Sequence, residues 1–171
     1  MPVISNTGPL LSFARARHLD LLGDIVGALI IPNAVYDEIV VQGAGLPGAV
    51  EVPQAEWITR AEVSDRAFMD QLPYALHAGE REAITLAKEL SGTLLIDDQS
   101  ARRIAEQQGI ACMGCLRVLE EAKQRGSILA VKPVLDALMA AGMYASPALY
   151  NSFLNRMGEA NEQLTEDDLP S

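Results

Sequence analysis

The run Thr93-Leu94-Leu95-Ile96 constrains the fold of this chain more than any other feature. Ser91-Gly92 stops the preceding pattern and Asp97-Asp98 closes the run, so it reads as a short strand apolar on both faces. A strand of that kind must be covered on both sides. In a parallel sheet, helices supply the cover.

The rest of the chain alternates strand and helix signals, as parallel strands joined by helical crossovers do. Val3-Ile4-Ser5 reads as a strand ended by Asn6-Thr7-Gly8-Pro9, with Thr7 able to cap the next helix and Pro9 suited to its first turn. That helix carries Leu10, Leu11, Phe13 and Ala14 inward, and a second short one follows through Leu19, Leu21 and Leu22. Residues 28–31 read as a buried strand closed by Pro32, and 34–41 as a helix packing Val35 and Ile39. Residues 42–53 read as a Gly/Pro-rich loop, and Trp57-Ile58-Thr59 as a short edge piece. The spacing of Ala83, Ile84, Leu86, Ala87 and Leu90 predicts a helix over 77–90, with Ser91-Gly92 supplying a left-handed cap. Beyond Asp98 come a helix over 100–108 stopped by Gly109, a strand at 110–112 and a helix over 116–125. After Gly126 the strand signals cease. Helices over 133–141 and 147–157 form a hairpin appended to the core, and a polar tail from Glu159 reads as mobile. The resulting division is an α/β domain over 1–126, a helical extension of it over 127–158, and an acidic tail over 159–171.

Composition narrows the function. With 49% apolar and only 5% aromatic residues, the core is aliphatic. No apolar stretch approaches the ~20 residues that span a bilayer, and no signal-peptide pattern opens the chain, so the expected address is cytoplasmic. The net charge of −10 disfavours coating nucleic acid by charge alone. Five of those charges lie in the last thirteen residues, leaving the body at −5. Cys112 and Cys115 form a C-M-G-C motif, but a zinc site would need two more ligands and only His18 and His77 exist. Packing near a strand end is the simpler account.

In open α/β sheets, ligand-binding groups collect beyond the carboxyl ends of the strands. Asn6 follows the first strand, Asp97 and Asp98 follow the Leu94 strand, and Glu38 and Glu80 lie near the starts of helices. Taken singly these residues have plainer uses: Asp98 as a helix N-cap, Asp97 facing solvent, Glu38 and Glu80 on solvated helix faces. Glu82, two residues from Glu80, points well away from it. Taken together they suit a hard divalent cation, Mg²⁺ or Mn²⁺, because clustered carboxylates repel one another without one.

The segments I-S-N-T-G-P-L-L, I-P-N-A-V-Y-D-E-I, A-G-E-R-E-A-I-T-L-A and L-L-I-D-D-Q-S-A-R-R-I-A, in this order, resemble the PIN domain family, closest to a prokaryotic branch related to VapC-type toxin nucleases. The resemblance runs from Pro2 to Gly126, and R-G-S-I-L-A-V-K-P-V-L-D-A-L resembles that branch's extension. It implies a three-layer α/β/α fold with a central parallel sheet and a C-terminal helical hairpin. It also implies an acidic quartet, which maps here onto Asn6, Glu38, Glu80 and Asp98; the first position departs from the family's aspartate. The implied activity is metal-dependent endoribonuclease cleavage, as in the toxin of a toxin–antitoxin pair. Glu38, Glu80 and Asp98 are the expected catalytic residues, and Asn6 and Asp97 the further metal ligands. Thr7, Arg102 and Arg103 are the expected substrate contacts. RNA, an antitoxin protein and a second copy of the chain are the expected partners. Asn6 motivates a rival, a degenerate module that binds RNA or protein without cleaving. A receiver-like phospho-acceptor domain is a more distant alternative, because the paired aspartates follow a late strand.

Overall fold

The computed structural model describes residues 1–159 and Asp167. Five parallel strands lie in the order β3-β2-β1-β4-β5: β1 (Val3–Ser5), β2 (Leu29–Pro32), β3 (Ile58–Ala61), β4 (Thr93–Leu95) and β5 (Ala111–Met113). From β1 the chain steps outward through β2 and β3. It then crosses back to place β4 on the other side of β1, in the register Ser5 to Leu95. The sheet order thus reverses between β1 and β4, and a crevice opens at their carboxyl ends.

Alternation along the strands builds two cores. Ile4, Leu94 and Ile96 pack with α5 (Arg66–Gln71), α6 (Ala78–Glu89) and α7 (Gln99–Gln107) on one face. Leu29, Ile31 and Leu95 pack on the other with α1 (Thr7–Arg15), α2 (Leu19–Val26), α8 (Cys115–Gln124), α9 (Lys132–Ala140) and α10 (Pro147–Arg156). The expected three layers are present. The C-terminal hairpin is no appendage, since Leu135, Leu138, Tyr150, Phe153 and Leu154 are buried in the same cluster as Phe13 and Leu22. Among the described residues, no helix is long and apolar enough to cross a membrane.

Several local expectations are corrected. The helix expected over 34–41 is one α-turn, α3 (Asn33–Tyr36), running into a π-helical segment (Asp37–Gln42). Gly43 ends that segment where a Cβ would lie 2.5 Å from the Ile39 carbonyl oxygen. Short α4 (Glu51–Gln54) interrupts the expected loop, and α5 stands where the sequence showed no pattern. The left-handed cap expected of Ser91-Gly92 after α6 is present, and Ser91 supplies it, with φ 49°. Gly92 is needed for a different reason, as a Cβ there would meet Ile4 Cδ1 at 2.4 Å and the Pro2 carbonyl oxygen at 2.6 Å.

Glu159 is anchored. Its carboxylate accepts the Val131 and Lys132 amides at 2.8 and 3.0 Å and pairs with Lys123 Nζ at 2.6 Å. Burial alone would raise its pKa, but the Lys123 ammonium and the two amides outweigh that and hold it below the usual range. The rest of the expected mobile tail, apart from Asp167, lies outside the described residues.

Candidate active site

The reversal of strand order sets the position of the site. Asn6 follows β1, and its backbone N–H donates to the Leu95 carbonyl at 3.4 Å; Asp97 and Asp98 follow β4 alongside it. Helices α1 and α7 start just beyond, while the π-segment and the start of α6 close the crevice from the side. One cavity of about 670 Å³ results, and Asn6, Thr7, Glu38, Glu80, Asp97 and Asp98 all line it.

Glu38 is the most firmly placed acid. Thr7 Oγ1 donates to its Oε2 at 2.5 Å, and the Gly79 amide donates to its Oε1 at 3.2 Å. Thr7 is therefore not a helix cap: it is the first residue of α1, and its hydroxyl joins α1 to the π-segment. π-turns hold one more residue than α-turns and recur at functional sites. Here the turn carries a carboxylate to the amino end of α6, where the helix dipole favours negative charge. Gly79 makes that approach possible, since a Cβ there would lie 2.7 Å from Glu38 Oε1.

The other acids also have structural duties. Glu80 Oε2 accepts the His77 amide at 2.9 Å and so caps α6. Asp98 Oδ1 accepts the Ala101 amide at 2.8 Å as the N-cap of α7. Asp97 does not face bare solvent: its Oδ1 accepts the Cys115 amide and its Oδ2 the Cys115 thiol, both at 2.8 Å. Burial, then the charge and hydrogen bond of Asp97, push the Cys115 thiol well above its ordinary pKa. The cysteine thus stays a protonated donor, and both cysteines are free thiols. Glu82 turns away from the cavity and accepts the Ala34 amide at 2.8 Å.

Asn6 stands apart. It is 6% exposed, and its Oδ1 is buried without a hydrogen-bond partner, a state shared among the described residues only with Arg81 Nε. An orphaned buried carbonyl costs on the order of 1–3 kcal/mol, and a cation is one group that would satisfy it. Among the described residues, no three His, Cys, Asp or Glu side chains form a ready cage for an ion. A hard ion asks for less than that, because Mg²⁺ is ordinarily held by one or two carboxylates together with waters and substrate phosphate. The oxygen donors of Asn6, Glu38, Glu80, Asp97 and Asp98 in the cavity lining suit such an ion.

Two of the expected substrate contacts lie elsewhere. Arg102 lines a neighbouring groove with Asp97, and Arg103 is exposed on α7. Conversely, His77, Gln42 and Leu11 line the main cavity although the sequence did not single them out for it. His77 had a local signal, its place three residues before the capping Glu80; Gln42 had none, because it falls at the start of the expected loop whereas the π-segment extends to include it.

A family model described as PIN domain matches residues 2–159. A PilT N-terminus domain protein from the hyperthermophilic archaeon Sulfolobus solfataricus has a similar structure, with a TM-score of 0.50 at 14% identity over 85% of this chain and 97% of that one. At that identity the likeness speaks for the fold alone. No curated protein matches the chain. With nearly its whole described length covered by the family model, the chain belongs to the PIN domain family.

Proposed function

We propose that the protein is a divalent-metal-dependent endoribonuclease whose active site is the crevice beyond β1 and β4. PIN domains are generally nucleases, which supports hydrolytic phosphodiester chemistry. The observation that carries the reading is the meeting of Asn6, Glu38, Glu80 and Asp98, from four separate stretches of chain, around one cavity. Glu38, Asp98 and the Asn6 carbonyl would hold Mg²⁺ or Mn²⁺, which when bound supplies an activated water and charge stabilisation for phosphodiester hydrolysis. Thr7 and Gly79 fix both oxygens of Glu38, so that carboxylate needs little reordering to bind. Glu80 uses one oxygen on the His77 amide, leaving the other able to accept a proton from water. Asp97, tied to Cys115, orients the start of α8 and adds negative charge to the cavity wall.

The test is cleavage of RNA with Mn²⁺ by the wild type beside a Glu38→Gln/Asp98→Asn double variant. Cleavage by the wild type alone is expected. Equal cleavage by both, or none by either, removes the catalytic claim. A second reading, a degenerate module that binds RNA or protein without cleaving, is favoured by Asn6, which lowers the charge of the site. Calorimetric titration with Mn²⁺ separates the two, since a degenerate module gives no heat above background.

A role as the toxin half of a toxin–antitoxin pair belongs to the same proposal, as do an antitoxin partner, a homodimer and a cytoplasmic address. Growth arrest on expression, lost in the double variant, is the expected sign of the toxin role. Light scattering of the purified chain tests the dimer.

A further inference from the structure

Gly8, Asp97 and Asp98 line not only the main cavity but also a second one of about 640 Å³, whose far wall is the turn between α9 and α10. A third groove, about 520 Å³, continues past the same turn along α8 and includes Arg102 and Arg117. Tyr144 lines both of the outer cavities and so stands on the ridge between them. Tyr144 is 73% exposed, although its neighbours Met143 and Ala145 are 8% and 1% exposed. The turn is firmly held. The Met143 amide donates to the Leu138 carbonyl at 3.0 Å, and Ser146 Oγ accepts the Leu149 amide at 3.1 Å. The backbone thus holds an aromatic face toward solvent, in a chain with only 5% aromatic residues.

We propose that Tyr144 is a stacking platform for a nucleobase of single-stranded RNA, next to the phosphodiester held in the main cavity. The choice of occupant rests on the nuclease reading of that cavity. Three features favour RNA over a peptide. The groove is continuous with the acidic crevice through Asp97 and Asp98. Arg102 and Arg117, with side chains 33% and 53% exposed, are steadied by Glu106 at 2.9 Å and by Glu121 and Glu120 at 3.1 and 3.2 Å, and their remaining guanidinium N–H groups suit phosphate. Finally, a chain of net charge −10 cannot hold RNA by charge alone, and stacking needs no charge.

The experiment measures binding of a short fluorescent single-stranded RNA to the full chain in EDTA, where hydrolysis is halted, for the wild type, Tyr144→Ala and Tyr144→Phe. Loss of one stacked base weakens binding about tenfold, so Tyr144→Ala is expected to lose about that much while Tyr144→Phe stays within about twofold. A 5-bromouridine-substituted RNA is expected to photocrosslink to the peptide that contains Tyr144. Equal affinity of wild type and Tyr144→Ala would assign the exposed ring to a protein contact and overturn the proposal. So would equal losses in the Ala and Phe variants, or no RNA binding by the wild type. Because nothing is cleaved in this assay, RNA binding through Tyr144 by a protein without nuclease activity would keep the platform and discard the nuclease reading.

Discussion

Asn6 gives the site its character, because it combines a buried unpartnered carbonyl with a charge one unit less negative than the family's aspartate would bring. Restoring the acid has opposite effects in the two states of the protein. Without metal, Asn6→Asp buries an uncompensated charge and lowers the melting temperature; with Mn²⁺ the added charge strengthens binding by on the order of 1–4 kcal/mol. Melting with and without Mn²⁺, together with calorimetry, checks both halves, and equal shifts in the two conditions would separate Asn6 from the ion. Gly79 is a second point of control. Gly79→Ala forces the Glu38 carboxylate off the start of α6 and is expected to cost about 1–3 kcal/mol of stability, with loss of cleavage, as measured by denaturant unfolding and an RNA assay. At this scale the sequence was informative about Asn6, Glu38, Glu80 and Asp98, whose order along the chain matches a known pattern. It was silent on Glu38's partners, since Thr7 and Gly79 lie 31 and 41 residues away and no local signal joins residues so distant.

Two of the acids that line the cavity, Glu80 and Asp98, also hold helix ends. Asp98 caps α7 through the Ala101 amide, and Asn caps about as well as Asp whereas Ala does not. Asp98→Asn is therefore expected to keep thermal stability near wild type while cleavage falls, and Asp98→Ala to lose about 1 kcal/mol as well. Parallel melts and cleavage assays of the two variants separate the cap from the chemistry. Elements with strong local signals were legible: β4 from its apolar run, α6 from its periodicity, α9 and α10 from proline near their starts. The π-segment was not, because α- and π-turns share the same composition and differ by a single residue of register. α5 was missed because only Phe68 in its six residues is buried, too little for a periodic stripe. The need for glycine at position 92 was hidden because it comes from Ile4 and Pro2, at the far end of the chain.

For the molecule as a whole, the C-terminal hairpin is held to the sheet by its apolar face and locked at its end by Glu159. Glu159 has a depressed pKa, so its contribution is complete above the unfolded value of about 4.3 and is lost as pH falls through the lower folded value. Glu159→Gln is expected to cost about 1–3 kcal/mol at neutral pH, and the gap from wild type should close in melts taken at progressively lower pH below about 4. The topology was readable as a class, since alternating strands and helices leave few arrangements. The burial of the hairpin was not, because Leu135 and Phe153 sit on faces equally suited to their own core or to another surface. The crevice has one more consequence. It is assembled from residues near positions 6, 38, 80 and 98, so a break in the backbone anywhere between Thr7 and Asp97 leaves neither piece with a whole set. A protein made as two such pieces would depend on their meeting: its turnover would rise with the square of dilute equimolar concentration, and at high dilution it would fall silent while the unbroken chain kept working.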